Sequence, residues 1–243
     1  MASKLEQITA KRYFVIGDLH GCPDEPAVML NYLVNQEGLS QDDAVIFLGD
    51  YIDRGPNSKA VIDLMIDFKK RYPATRFLKG NHEDMMLDFF GFGGRLGQAF
   101  LHNGGLETIQ SYGISVFDNA EEMAAKLPEE HRNFLYNLDS IITFPGYITV
   151  HAGLNPFREI NLQNDGDVFW IRDEFIANIH NFKALVVFGH TPHREVLLHQ
   201  PYKIGIDTGL VFGNKLSCLE LPSGKLYQIK NSSSQVTIST IKV

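Results

Sequence analysis

Gly80-Asn81-His82-Glu83 closes the third of three segments that each run from a short apolar stretch into a polar loop. It sets an amide that can bind a metal next to an imidazole that can carry a proton. An acidic residue then opens what reads as a helix. Alone, Asn81 could simply cap that helix, with Glu83 and Asp84 favouring its positive end. The two earlier segments change the reading. Tyr13-Phe14-Val15-Ile16 reads as a buried strand stopped by Gly17, followed at once by Asp18 and His20. Val45-Ile46-Phe47-Leu48 is the next strand and ends at Gly49-Asp50. Thr75-Arg76-Phe77-Leu78 is the third. A strand, polar loop and helix recurring three times is an α/β signature. It would converge Asp18, His20, Asp50, Asn81 and His82 on one sheet edge, where α/β folds hold ligands.

The residue types at that edge suit metal chemistry. Asp18 and His20 are two apart, so on an extended segment they point the same way and form a clamp. Asp50 has two oxygens and could bridge two cations. In Asp53-Arg54-Gly55 the planar fork of Arg54 suits phosphate oxygens. Asp53 either pairs with Arg54 or accepts a hydrogen bond from a catalytic imidazole and fixes its orientation. His151 and His190 each follow a strand directly, Tyr147-Ile148-Thr149-Val150 and Leu185-Val186-Val187-Phe188, which makes them ligand candidates. Arg172, in Trp170-Ile171-Arg172, either lies at the surface or completes a two-arginine phosphate clamp.

The rest of the chain frames this edge. Asp24 to Asn35 reads as a helix with Ala27, Leu30, Leu33 and Val34 on one face. A second, after Pro56, buries Ala60, Val61, Leu64, Met65 and Phe68. Residues 84–140 read as a mostly helical insertion beside the site, with helical stretches around Gln98 to Leu101, Leu106 to Tyr112 and Glu129 to Asn137. Pro145-Gly146 is a hairpin signal, and the tail from Tyr202 alternates like antiparallel strands. One domain is the simplest count for 243 residues.

Bulk properties exclude several classes. The chain is 44% hydrophobic and 21% charged, as in a globular protein. A net charge of −7 argues against broad nucleic-acid binding, which needs a basic footprint, though metals could still attract a small anion. Cys22 and Cys218 show no paired spacing. Met1 to Arg12 is polar and lacks an apolar signal core, and no apolar run reaches spanning length. The expectation is a cytoplasmic protein with no membrane partner.

Gly17-Asp18-Leu19-His20-Gly21, Gly49-Asp50-Tyr51-Ile52-Asp53-Arg54-Gly55, Gly80-Asn81-His82-Glu83, His151-Ala152-Gly153 and Gly189-His190-Thr191 together resemble the calcineurin-like metallophosphoesterases. Within them the chain is similar to the phosphoprotein phosphatase branch, especially bacterial and phage lambda-type serine/threonine phosphatases. Ile206-Asp207-Thr208-Gly209 and Trp170-Ile171-Arg172 also look like that branch. The resemblance implies a four-layer αββα sandwich and a binuclear metal centre, with manganese the usual metal and iron or zinc the alternatives. It implies that Asp18 and His20 bind one metal, that Asp50 bridges, and that Asn81, His151 and His190 bind the second. Arg54 and Arg172 would hold phosphate. His82, paired with Asp53, would protonate the leaving group after attack of a metal-bridging hydroxide. The activity implied is phosphoserine and phosphothreonine hydrolysis in protein or peptide partners. A symmetrical diadenosine tetraphosphate hydrolase usually lacks the acid at the position of Asp53, which favours the phosphomonoesterase. A dinucleoside polyphosphate hydrolase on the same scaffold is the alternative, and a non-catalytic phosphate-binding scaffold is a further one.

Overall fold

β2 (Tyr13–Ile16), β3 (Ala44–Phe47) and β7 (Leu185–Phe188) are buried at every position, so each is covered on both faces. The alternation of their side chains separates three apolar clusters. Phe14, Ile16, Val45 and Phe47 face an outer core with α1 (Asp24–Asn35) and α2 (Ser58–Arg71). Tyr13, Val15, Ile46 and Val187 meet between two sheets. Val186 and Phe188 face a third cluster with α7 (Asp165–Trp170) and α8 (Asp173–Ala177). Helix, sheet, sheet and helix thus form four layers, the αββα sandwich expected. The structure is a computed structural model and describes residues 5–243.

The remaining strands are β1 (Leu5–Gln7), β4 (Arg76–Phe77), β5 (Ile141–Phe144), β6 (Tyr147–Val150), β8 (Leu197–His199), β9 (Lys203–Gly205), β10 (Lys215–Leu221), β11 (Lys225–Lys230) and β12 (Val236–Thr240). One sheet has the order β1-β5-β6-β7-β9-β8, the other β12-β11-β10-β2-β3-β4. β2, β3 and β4 run parallel, as do β6 and β7. Parallel neighbours bring their carboxyl ends to one edge, and that edge carries the motif loops.

Between β4 and β5 lie α3 (Asn81–Phe89), two 3-10 turns, α4 (Gly105–Ser111), α5 (Ala120–Lys126) and α6 (Glu129–Tyr136). α5 has no counterpart in the sequence reading. Its start is an Asn119–Glu122 capping box, a signal easily lost in a polar stretch. β1, β8 and β9 are three residues each, too short to show a period. β1 lies within the polar start of the chain, of which residues 1–4 fall outside the described residues. The buried face of α1 is also shifted: Met29 joins Leu30 and Leu33, while Ala27 is exposed. Among the described residues, no helix is long and apolar enough to cross a membrane.

Candidate metal centre

The loops that leave β2, β3, β4, β6 and β7 bend sharply, and the backbone records it. Of the eight non-glycine residues with positive φ among those described, five are His20, Asp50, Asp53, Arg54 and His190. Such conformations are costly for side chains with a Cβ and persist where the surroundings over-determine them. Two glycines show the crowding. A Cβ on Gly80 would collide with the Asp50 carboxylate, and one on Gly189 with that of Asp18. Both must be glycine for these carboxylates to reach the centre.

Asp18, His20, Asp50, Asn81, His151 and His190 are each 5% exposed or less. Their donor atoms fall into two groups that share one member. His20, Asp50 and His82 offer atoms within 4.8 Å of one another, and so do Asp50, His151 and His190. Asp50 stands in both, as a bridging ligand would. Asn81 joins the second group, its Oδ1 3.1 Å from His151 Nε2. Asp18 is in neither tight group. Its Oδ2 accepts from the His190 N–H at 3.0 Å, and its Oδ1 is buried without a partner among the described residues.

The imidazoles are held as ligands would be. His20 Nδ1 donates to the Ile52 carbonyl at 3.0 Å and His151 Nδ1 to that of Leu48 at 2.8 Å. Each bond fixes the tautomer and turns the Nε2 lone pair inward. Burial pushes the His20 pKa down to about 3 and lowers those of His151 and His190, so all three are neutral at pH 7. Burial works against the Asp50 charge, but His151 and the other surrounding imidazoles reverse it and hold Asp50 ionised. Burial raises Asp18 well above the carboxylate range, reinforced by Asp207 and Asp50. Buried Asp18 Oδ1 and His190 Nε2, both without partners among the described residues, are what a bound cation would satisfy. Mixed oxygen and nitrogen donors suit manganese, iron or zinc better than calcium. The residues fit a pair of divalent metals.

His82 Nδ1 lies 2.6 Å from Asp53 Oδ2, with both groups buried. Burial pulls the His82 pKa down, but the Asp50 charge and the Asp53 bond outweigh it and leave it raised. Asp53 is raised by burial, against the pull of His82. Both shifts favour a proton held within the pair. Arg54 Nη1 is 2.7 Å from His20 Nε2, at the centre itself. Arg172 stands at the rim, its Nη1 donating to the His190 carbonyl at 3.1 Å and to Thr191 Oγ1 at 3.2 Å.

Three supporting residues were not legible. Glu83 is fully buried and clasps two loops together: its carboxylate accepts from the N–H groups of Asp50, Tyr51 and Gly80 at 2.8–2.9 Å. Burial and the Asp50 charge push its pKa up to about 8. The Thr108 hydroxyl, on α4, accepts from the Asp53 N–H at 2.8 Å and donates to its Oδ1 at 2.6 Å. Ser58 Oγ accepts from the same N–H at 3.0 Å. In the sequence Glu83 reads only as an acid at a helix start. Nothing in the local sequence marks Thr108, which meets Asp53 across 55 positions.

A family model for calcineurin-like phosphoesterases matches residues 11–218. The asymmetrical bis(5'-nucleosyl)-tetraphosphatase PrpE of Oceanobacillus iheyensis is 30% identical over 234 residues, covering 88% of this chain and 90% of that protein. The protein of the same name from Bacillus subtilis is 29% identical, with 90% and 95% covered. A solved candidate diadenosine tetraphosphatase superimposes with a TM-score of 0.69 at 21% identity, covering 94% of this chain and 98% of its own, and speaks for the fold. These relatives correct the expectation of a serine/threonine protein phosphatase with phosphoprotein or phosphopeptide partners, since they are named for dinucleotide substrates. The physical reason is that metal ligands, arginines and an acid serve any phosphoryl transfer. Asp53 orients a proton donor and does not say what the leaving oxygen is attached to. With 208 residues under the family model, the chain belongs to the calcineurin-like phosphoesterases.

Proposed function

We propose that this protein is a metal-dependent hydrolase of dinucleoside polyphosphates, splitting a bis(5'-nucleosyl) tetraphosphate into a nucleoside monophosphate and a nucleoside triphosphate. The observation that carries the substrate class is the 30% identity over 88% of the chain to a relative named for that asymmetrical cleavage. The shared position of Asp50 between two donor groups supports the chemistry.

Asp18, His20 and Asp50 would hold one divalent metal, and Asp50, Asn81, His151 and His190 the other, with manganese the first candidate. Bound there, two cations would neutralise phosphate charge and lower the pKa of water towards neutrality. Arg54 and Arg172 approach from different loops and together bind the oxygens of the reacting phosphate, where charge grows in the transition state. His82 gives its proton to the bridging oxygen as the P–O bond breaks, and Asp53 holds the ring for that transfer. Water adds its oxygen to one phosphorus, the P–O bond to the departing phosphate chain breaks, and the proton that water loses replaces the one given up by His82.

Metal-stripped protein, with and without added manganese, is the test. Manganese-dependent conversion of diadenosine tetraphosphate to AMP and ATP in equal amounts supports the reading. Two ADP would replace asymmetrical by symmetrical cleavage. An intact dinucleotide, with two metals bound, would remove the substrate class.

A further inference from the structure

Beside the centre, a cavity of about 350 Å³ is lined by Pro192, His193, Arg194, Thr208, Phe212 and Asn214. Its size falls at the lower end of small-molecule sites. It adjoins the metal centre through the backbone, where the His193 N–H donates to the Asp207 carbonyl at 3.0 Å. Phe212 is 64% exposed. Its ring centroid is 5.6 Å from the guanidinium carbon of Arg54, which itself touches His20. An aromatic face therefore stands in water, one side chain away from the phosphate-binding arginine.

The ring is displayed on a stiff support. Phe212 ends a one-turn 3-10 helix, Leu210–Phe212, between left-handed residues Gly209 and Gly213. Leu210 is buried and anchors the turn. The Phe212 N–H donates to the Gly209 carbonyl at 3.1 Å, and that of Asn214 to the same oxygen at 3.2 Å. Asn214 Nδ2 donates to the carbonyls of Arg194 and Thr208 at 2.9 and 2.7 Å, tying both walls of the cavity together. His193 supplies a polar edge, its Nε2 buried with no hydrogen-bond partner among the described residues. A flat apolar face with a few polar groups at its margin is what a nucleobase needs, because every base offers a π-face for stacking.

We infer that Phe212 and this cavity bind one nucleobase of the substrate. The base stacks on the Phe212 ring with His193 at its edge, while its phosphates reach Arg54. The cation already set against Phe212 then faces a second charge-compatible partner, the phosphate chain. The inference rests on the dinucleotide reading and assigns the residue that recognises the base.

AMP and ribose 5-phosphate differ only in the base. Titrating manganese-reconstituted wild-type, F212A and F212W proteins with each, by calorimetry, isolates the base–Phe212 contact as a double-difference cycle. Wild type should bind AMP about tenfold more tightly than ribose 5-phosphate, equivalent to about 1.4 kcal/mol. The ratio should fall to near one in F212A and be kept or widened in F212W. An equal ratio in wild type and F212A, or no preference in wild type, overturns the subsite. Turnover of diadenosine tetraphosphate by wild type is scored separately. An unsplit dinucleotide with the AMP preference intact breaks the functional reading alone.

Discussion

The floor of the centre and the wall beside it are built on different terms. Floor residues Asp18, His20, Asp50, Asn81, His151 and His190 stand on loops at strand ends and are at most 5% exposed. Taking so many polar groups from water is costly, so several are held by the backbone or by one another, and Asp18 Oδ1 and His190 Nε2 are left for a cation to satisfy. The wall, made by Arg172 and Phe212, stands largely in water, where the residue type is less constrained. The difference teaches that phosphoryl chemistry and choice of substrate are separable here.

The largest effect should come from the floor. Asp50→Asn keeps the shape of the side chain and removes the charge that belongs to both donor groups. Turnover of the dinucleotide should drop about a thousandfold, with loss of bound metal on dialysis. Elemental analysis checks the second point. Full metal content with full activity would contradict a bridging role and dissolve the contrast between floor and wall.

His82→Ala should follow, with kcat on diadenosine tetraphosphate about a hundredfold lower and two metals retained. The loss should be larger on phenyl phosphate, whose departing phenolate is far more basic than a nucleotide phosphate and depends more on a proton. Similar losses on both substrates would assign His82 to the metal group in which it also falls, rather than to proton transfer.

What was legible follows the same division. Asp-x-His after a strand, Gly-Asp after the next and Gly-Asn-His after the third are local patterns, and local patterns survive in a sequence. β2, β3 and β7 announced themselves because strands buried on both faces read as continuous apolar runs. Glu83 and Thr108 stayed hidden because their partners lie 32 or 33 and 55 positions away, and a distant hydrogen bond leaves no period or spacing. Substrate class was misread for a related reason. On the base site proposed for Phe212 it would depend on an exposed surface, where no burial constrains the residue type and no pattern forms.

Thr108 tests whether the helical segment is a mere neighbour of the floor. Thr108→Val preserves shape and removes both hydrogen bonds to Asp53. A positioning residue of this kind should lower kcat about tenfold and leave KM nearly unchanged. Combined with Asp53→Asn it should add little, since both changes act on the same imidazole. Full additivity would show that α4 supports the site by some route other than Asp53.

The smallest effect is expected where the helical segment meets α2, far from the metals. His131 Nε2 is 2.9 Å from Asp63 Oδ1, and its Nδ1 is 2.9 Å from the Tyr112 hydroxyl. Burial lowers the His131 pKa, and the pull of Asp63 only partly offsets it. In the unfolded chain the ring takes up a proton near pH 6.5. In the folded protein it does so at lower pH. Between those values the unfolded state binds more protons, so stability is full above about pH 6.5 and declines as pH falls towards the folded pKa. The melting-temperature advantage of wild type over His131→Gln should therefore shrink by about 1–3 °C between pH 7.5 and 5.5. The other titrating groups are common to both proteins and cancel in the difference. An advantage that grows on acidification would mean that the folded ring is protonated and paired with Asp63, which makes this contact an ion pair formed at the protein surface rather than a buried neutral bond.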